Sequence, residues 1–314
     1  MAALPKRQLR AIQRVLPRPS PHWVGDGFRV YPVFSNLAFS EELSPLLMFD
    51  YAEPHTFPPR PAGTKPLGVG QHPHRGFQTV TLAFQGEVEH HDSTGQSDVI
   101  HKGDVQWMNA GRGIIHQEYH SKAFTQTGGT FEMCQLWVNL PKAQKMSPPG
   151  YQAIPNATIP VVQLPSTGGT GEDDNPFATA RIIAGDLQDT KGAATTVSPV
   201  QLWDISLPST VGSVIDMPYP KDHTCIVFVR RGSVEIMISE DGKGRKLHAQ
   251  EVALMQTNGG DVVRFRVVEP DSSLLILGGE PLNEPIAAQG PFVMNTKEEI
   301  REAIMDYQMG RMGR

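Results

Sequence analysis

The chain has 314 residues, 39% of them hydrophobic and 19% charged, with a formal net charge of -5. That balance excludes a disordered polyelectrolyte and argues against a dedicated nucleic-acid binder, which needs clustered positive charge. Glycine (30) and proline (27) are both abundant, which favours turns and short strands over long helices.

Residues 1–24 read as a basic N-terminal arm. Lys6, Arg7, Arg10, Arg14 and Arg18 occur there without an acidic residue, and Pro5, Pro17, Pro19 and Pro21 interrupt any long amphipathic helix. A solvated arm, or a first strand packed on the body, is expected rather than a targeting segment. Residues 25–147 form the first domain, built of short strands and tight turns. Phe77 to Phe84 is followed by the turn Gln85-Gly86-Glu87 and then Val88-Glu89-His90; Lys102-Gly103-Asp104 turns into Val105 to Met108; Phe131 to Val138 is another strand. This spacing predicts an all-β sandwich or barrel.

Residues 148–180 read as a linker, with Pro148, Pro149, Pro155, Pro160 and Pro165 leading into a Gly-rich run that ends at Pro176. Residues 181–314 form the second domain. Its strands resume at Arg181 and Val200 and continue through Cys225 to Val229, Val234 to Ile238 and Val262 to Val267; the apolar run Leu274 to Leu277 predicts a buried strand. The two halves are loose copies: Phe84-Gln85-Gly86-Glu87-Val88-Glu89 parallels Val229-Arg230-Arg231-Gly232-Ser233-Val234-Glu235. The chain ends in a predicted helix. Thr296 is its N-cap, Glu299 completes a capping box, Ile300, Ala303, Ile304 and Tyr307 form the apolar stripe, and Gly310 stops it.

Cys134 and Cys225 lack a CxxC partner, so a disulfide scaffold is not expected and a reducing compartment, the cytoplasm (or the nucleus in a eukaryote), fits best. No apolar run approaches the roughly 20 residues of a membrane span.

The chemistry concentrates in two short motifs, His72-Pro73-His74 and His116-Gln117-Glu118. In a strand, residues i and i+2 share a face. Two strands facing one another inside a barrel would therefore converge three imidazoles and one carboxylate on a single ion. Imidazole suits Fe, Ni, Cu and Zn, and a carboxylate shifts the balance toward Fe, Mn or Ni. An octahedral ion so held keeps two positions open, unlike a closed, thiolate-rich structural zinc site.

Other candidates are weaker. His90 and His91 alternate faces, so at most one points inward. His120 continues the face of His116 and Glu118. His22, His55 and His101 read as surface residues. His223 and His248 stand alone, so the second domain is expected to lack a metal. Arg75 and Arg112 flank the motifs and could steady the carboxylate or an anionic substrate, or form an ordinary ion pair. Gln106, Trp107 and Trp137 read as core. No Walker loop, GxSxG elbow or Cys/His nucleophile pair is present.

Gln71-His72-Pro73-His74-Arg75-Gly76-Phe77-Gln78-Thr79-Val80-Thr81 and the stretch from Gly103 to Glu118 resemble the signature of the pirin family, a bicupin group. So do Gln135 to Pro141, Asn283-Glu284-Pro285 and Gly290 to Ile300. The resemblance spans about Gly25 to Gly310. It implies an all-β chain of two tandem cupin (jelly-roll-like) β-barrels with a C-terminal α-helix. It implies non-haem iron, Fe(II) or Fe(III), at His72, His74, His116 and Glu118, with Mn, Ni, Cu or Zn as alternatives. Gln78 departs from the general cupin pattern, which places a Glu there, so Glu118 must supply the anionic ligand and Gln78 stays outside the set.

Quercetin 2,3-dioxygenase activity is implied, on a flavonol and O2, with Glu118 as both ligand and local base. The alternative is a non-enzymatic iron redox sensor that binds a transcription factor or metabolic enzyme. A monomer is expected, since one chain already supplies two barrels.

Overall fold

A computed structural model describes residues 8–34, 40–167, 177–239 and 241–313. The chain divides into two compact units, Pro19–Thr158 with Leu282–Arg314, and Met1–Arg18 with Ile159–Pro281. Both units are built from antiparallel sheets, and the one long helix among the described residues is C-terminal. The division is less linear than the sequence suggests, because both chain ends cross over.

The N-terminal segment is a strand of the second unit. Ile12–Leu16 pairs antiparallel with Val252–Met255. Arg10 anchors it, fully buried, donating to the carbonyls of Gly260 (3.0 Å), His223 (3.0 Å) and Pro220 (2.7 Å) and lying over the Tyr219 ring. Of the two options for residues 1–24, the packed strand therefore holds from Ile12 to Leu16; Lys6 and Arg7 lie outside the described residues. The 148–180 stretch is also not simply linker. Gly150–Ile154 pairs with Val105–Asn109 in the first unit, and Val161–Thr167 pairs with Phe177–Ala184 in the second. Pro149, Pro155 and Pro160 bound strands and the short turn Asn156–Thr158, positions where a missing N–H costs little, whereas Pro165 lies within the Val161–Thr167 strand opposite Phe177. Residues 168–176 of this stretch lie outside the described residues.

Among the described residues the first unit has two large sheets and a small one, Ala287–Gln289 with Phe292–Met294. Seven strands run in the order Gly150–Ile154, Val105–Asn109, Phe77–Gln85, Gly129–Asn139, Leu46–Phe57, Phe28–Phe34 and His22–Val24. Four run in the order Gly68–His74, Ile114–His120, Val88–Asp92 and Ser97–Ile100. Alternation sets what lies between them: along Ile114–His120 the buried positions are Ile114, His116, Glu118 and His120. Phe28, Phe57, Phe124, Phe131 and Met133 form an apolar cluster around the His120 level.

The Lys297–Gln308 helix belongs to this first unit. Its capping box is present, with Thr296 Oγ1 accepting from the Glu299 N–H and Glu299 accepting from the Thr296 N–H. Ile300 and Ala303 bury against Phe292 and Met294, whereas Tyr307 stays 40% exposed. The stripe is thus one turn shorter than its periodicity implies. Gly310 adopts φ +64°, as a helix stop requires.

Among the described residues the second unit has an eleven-stranded sheet around a core that includes Trp203, Val227, Ile236, Phe265 and Ile276, and a small pair, Asp186–Leu187 with Thr190–Lys191. Cys134 and Cys225 are buried, and neither is in a disulfide. No helix among the described residues is long and apolar enough to cross a membrane. Removing the Arg10 guanidinium strands three carbonyls, one buried and two part-buried, so Arg10→Ala should cost about 3 kcal/mol. A denaturant titration checks this against Gln13→Ala, on the same segment but exposed, which should shift stability by no more than about 0.5 kcal/mol.

Candidate metal centre

The two motif strands are hydrogen-bonded neighbours in one sheet, not strands facing each other across a barrel. Gly68–His74 pairs antiparallel with Ile114–His120, setting His72 directly opposite His116 and His74 opposite Ile114. The ladder then shifts, so that Glu118 pairs with Val69. The sharing of a face at i and i+2 holds on both strands. Each of His72, His74 and His116 offers a ring nitrogen, and these lie within 4.8 Å of one another. Their ring centroids are 4.2 to 4.8 Å apart. Gly76 closes the motif at φ +88°, where any Cβ would collide with the Val293 carbonyl.

Hydrogen bonds decide which nitrogens are free. His72 Nδ1–H donates to the Gly70 carbonyl at 2.8 Å, leaving Nε2 available. His116 Nδ1 lies 2.6 Å from His90 Nε2, while His116 Nε2 is sealed from solvent with no partner. Both ring nitrogens of His74 are likewise sealed and unpartnered; the Pro291 carbonyl is near the ring but forms no well-aligned bond. Buried nitrogens without partners are costly, and one from His74 with Nε2 of His116, gathered beside the free Nε2 of His72, form a donor set that a cation would satisfy. If His116 binds through Nε2, its Nδ1–H donates to His90 Nε2, and His90 keeps its proton on Nδ1.

Burial, with the neighbouring imidazoles, holds His74 and His116 well below the usual imidazole range. Burial also pulls His90 down to about 4. All three rings are therefore neutral near pH 7, the form that binds metal.

Glu118 is buried on the same strand face as His116. Both its oxygens accept from Gln135 Nε2, at 3.0 and 3.2 Å, across from the other sheet. Burial pushes its carboxyl up, against the pull of His72 and the Gln135 hydrogen bonds. The close donor group itself comprises the three imidazoles. Gln78 is buried opposite Val138 and Asn109, on the sheet face turned away from the Trp137 side. Trp137 packs edge-on against His74 at 5.4 Å and stacks on Phe77 at 4.3 Å, so it lines the site as well as the core.

Several neighbours take other roles. His120 does not reach the ligands: its Nε2–H donates to the Gly27 carbonyl (3.0 Å) amid Phe28, Phe57, Phe124 and Phe131. Arg75 is not at the carboxylate. Its Nε donates to the Arg112 carbonyl and its terminal nitrogen pairs with Asp306 on the C-terminal helix. The Arg112 side chain is exposed. His91 pairs with Glu89 and His101 with Glu87. His22 and His55 sit in strands rather than loops.

In the second unit His223 bonds Gln201, and among the described residues no second donor group gathers. His90 and Gln135 were not assigned roles by sequence. His90 lies opposite Glu118 in the Val88–Asp92 ladder, a register that no local pattern reveals.

The metal-free protein carries four buried neutral rings, His74, His90, His116 and His120, the last also held at about 4. Unfolded imidazoles gain protons below about 6.5, whereas these folded rings do not. The stability they contribute is present above 6.5 and is lost as pH falls toward 4, by about 1.4 kcal/mol per ring per pH unit. Denaturant midpoints of the metal-free protein should therefore drop steeply between pH 7 and 5. His90→Ala, which removes the acceptor behind His116, should lower metal affinity by about 10- to 100-fold in a chelator competition, while His91→Ala leaves it unchanged.

Comparison with known proteins agrees with this architecture. A family model described as pirin matches residues 27–138, and one described as the pirin C-terminal cupin domain matches residues 202–313. The chain is 47% identical over 291 residues to a Pseudomonas aeruginosa protein provisionally named quercetin 2,3-dioxygenase, covering 92% of this chain and 94% of that one. It is 34% identical over 273 residues to pirin of Rattus norvegicus, covering 86% and 83%. The crystal structure of quercetin 2,3-dioxygenase from Acinetobacter baumannii matches with a TM-score of 0.87 at 44% identity, over 96% of this chain and 98% of that one. With family models matching both halves, the all-β architecture is that of two cupin domains, and the chain belongs to the pirin family.

Proposed function

We propose that the chain is a metal-dependent dioxygenase that cleaves a flavonol such as quercetin with O2. The observation that carries this reading is the set of three converging imidazoles whose sealed nitrogens on His74 and His116 have no partner. The substrate class is supported by the two similar proteins named as quercetin 2,3-dioxygenases. His72, His74, His116 and Glu118 are the proposed ligands, and three nitrogens with one carboxylate fit Fe(II) or Fe(III), with Mn, Ni, Cu or Zn as alternatives.

The bound ion supplies Lewis acidity toward a flavonol hydroxyl and a redox route to O2. The chain supplies the rest. The Gly70 carbonyl and His90 fix the orientation of the His72 and His116 rings. Gln135 holds the Glu118 carboxylate with both its oxygens engaged. Trp137 and Phe77 wall the His74 side with apolar surface, which keeps water away and suits a flat aromatic substrate.

The test is aerobic turnover by stoichiometrically metal-loaded protein, followed by flavonol absorbance and O2 uptake together. The expected result is matched consumption of both, with His74→Ala reduced at least about 100-fold through loss of the metal. Fully loaded protein that leaves quercetin intact under air, with each candidate metal in turn, contradicts the reading.

A further inference from the structure

The ligand strands leave one question open, namely which group takes a proton from the substrate. Glu118 was the sequence candidate. Its two oxygens already accept from Gln135, and one of them is needed for the metal. A second carboxyl lies in the same layer.

Residues directly opposite in an antiparallel sheet share a face, with Cβ atoms roughly 4.5–5.5 Å apart. In the seven-stranded sheet, Asp50 is opposite Gln135, Gln135 is opposite Thr81, and Thr81 is opposite Gln106. These four polar side chains form one row. Gln135 reaches from that row to Glu118, so the row faces the metal side of the barrel.

The rows on either side differ in kind. Met48, Trp137, Thr79 and Met108 make one, from which Trp137 touches His74. Ala52, Met133 and Ala83 make the other, which runs into the Phe131 cluster. Apart from the Thr79 hydroxyl, the polar side chains of these rows are therefore concentrated at the level of Glu118.

Asp50 has no structural duty that accounts for it there. Its Oδ1 is sealed from solvent and has no hydrogen-bond partner. Its ladder neighbours Pro32 and Gln135 are uncharged. Charged groups on the adjoining strands are engaged elsewhere, Arg29 with Glu53, and Glu132 with Tyr51 and Gln85. The ionisable groups on the facing face of the other sheet are His72, His74, His90, Asp92, His116, Glu118 and His120, with Asp98 at its exposed edge. A buried carboxyl oxygen left without a donor lacks a partner that the protein does not supply. Burial also raises the Asp50 carboxyl to about 7, within reach of both protonation states near neutrality.

We propose that Asp50 is the catalytic base of the first barrel, accepting a hydrogen bond and then the proton from a hydroxyl of the polyphenolic substrate. The substrate O–H bond breaks, an O–H bond forms on the Asp50 carboxylate, and the electron pair stays on the substrate oxygen. No oxidant enters this step. Glu118 is left to the metal. The assignment rests on the flavonol reading above, and it adds a residue to it.

The test uses iron-loaded protein and quercetin, first without O2 and then in air. Under anaerobic conditions the wild type should bind quercetin in its anionic form, seen as a red-shifted absorption band that grows in around pH 7. Asp50→Asn keeps the shape of the side chain and removes the base. It should retain full metal content and bind quercetin, yet lose the anionic band at pH 7. Its aerobic kcat should fall about 100-fold, and the acid limb near pH 7 should vanish from its rate profile.

Asp50→Glu should restore part of both signals. If Asp50→Asn gives the wild-type band and profile, the flavonol itself or another group carries the ionisation and the Asp50 assignment is overturned while the dioxygenase reading stands. Loaded wild-type protein that neither binds nor cleaves quercetin overturns both.

Discussion

The register between the Gly68–His74 and Ile114–His120 strands governs the site. By placing His72 across from His116, it brings together imidazoles from segments far apart in sequence. The same register buries nitrogens that the protein leaves without partners. Those orphan atoms destabilise the metal-free fold, and a cation would convert that cost into binding energy. The chain tolerates them because the surrounding ladder is held by two sheets and an aromatic cluster around His120.

A second set of contacts explains why the C-terminal segment belongs to the first unit. The Lys145 ammonium is buried and donates to the carbonyls of Gly76 and Val293 and to Asn139 Oδ1. Burial pulls that amine down to about 7. Arg75, immediately after the His72-Pro73-His74 motif, pairs with Asp306, and its backbone bonds Pro291 and Val293. The turn that follows the His74 strand is therefore clamped by residues more than two hundred positions away. An ordinary-looking flanking arginine serves geometry, not charge, at the metal.

Sequence reading recovered what is local. Alternation on a strand put His72 with His74 and His116 with Glu118, and the helix caps at Thr296 and Gly310 follow from short-range chemistry. What it missed depends on pairing between distant strands. His90 could not be told from His91 until the Val88–Asp92 ladder set it opposite Glu118. Gln135 and Asp50 look like polar interruptions in strands until the register puts them in one row. The crossing chain ends were hidden for the same reason, since Arg10 reads as one more basic residue until its three carbonyl partners are known.

The central claim is that one metal ion sits in the first barrel on these particular side chains. Anomalous diffraction at the metal absorption edge, on crystals of the metal-loaded protein, tests it most directly. The account predicts a single peak per chain about 2.1 Å from Nε2 of His72 and His116 and from a ring nitrogen of His74, with a Glu118 oxygen completing the set. A peak in the second barrel instead, or none at full loading, would contradict it.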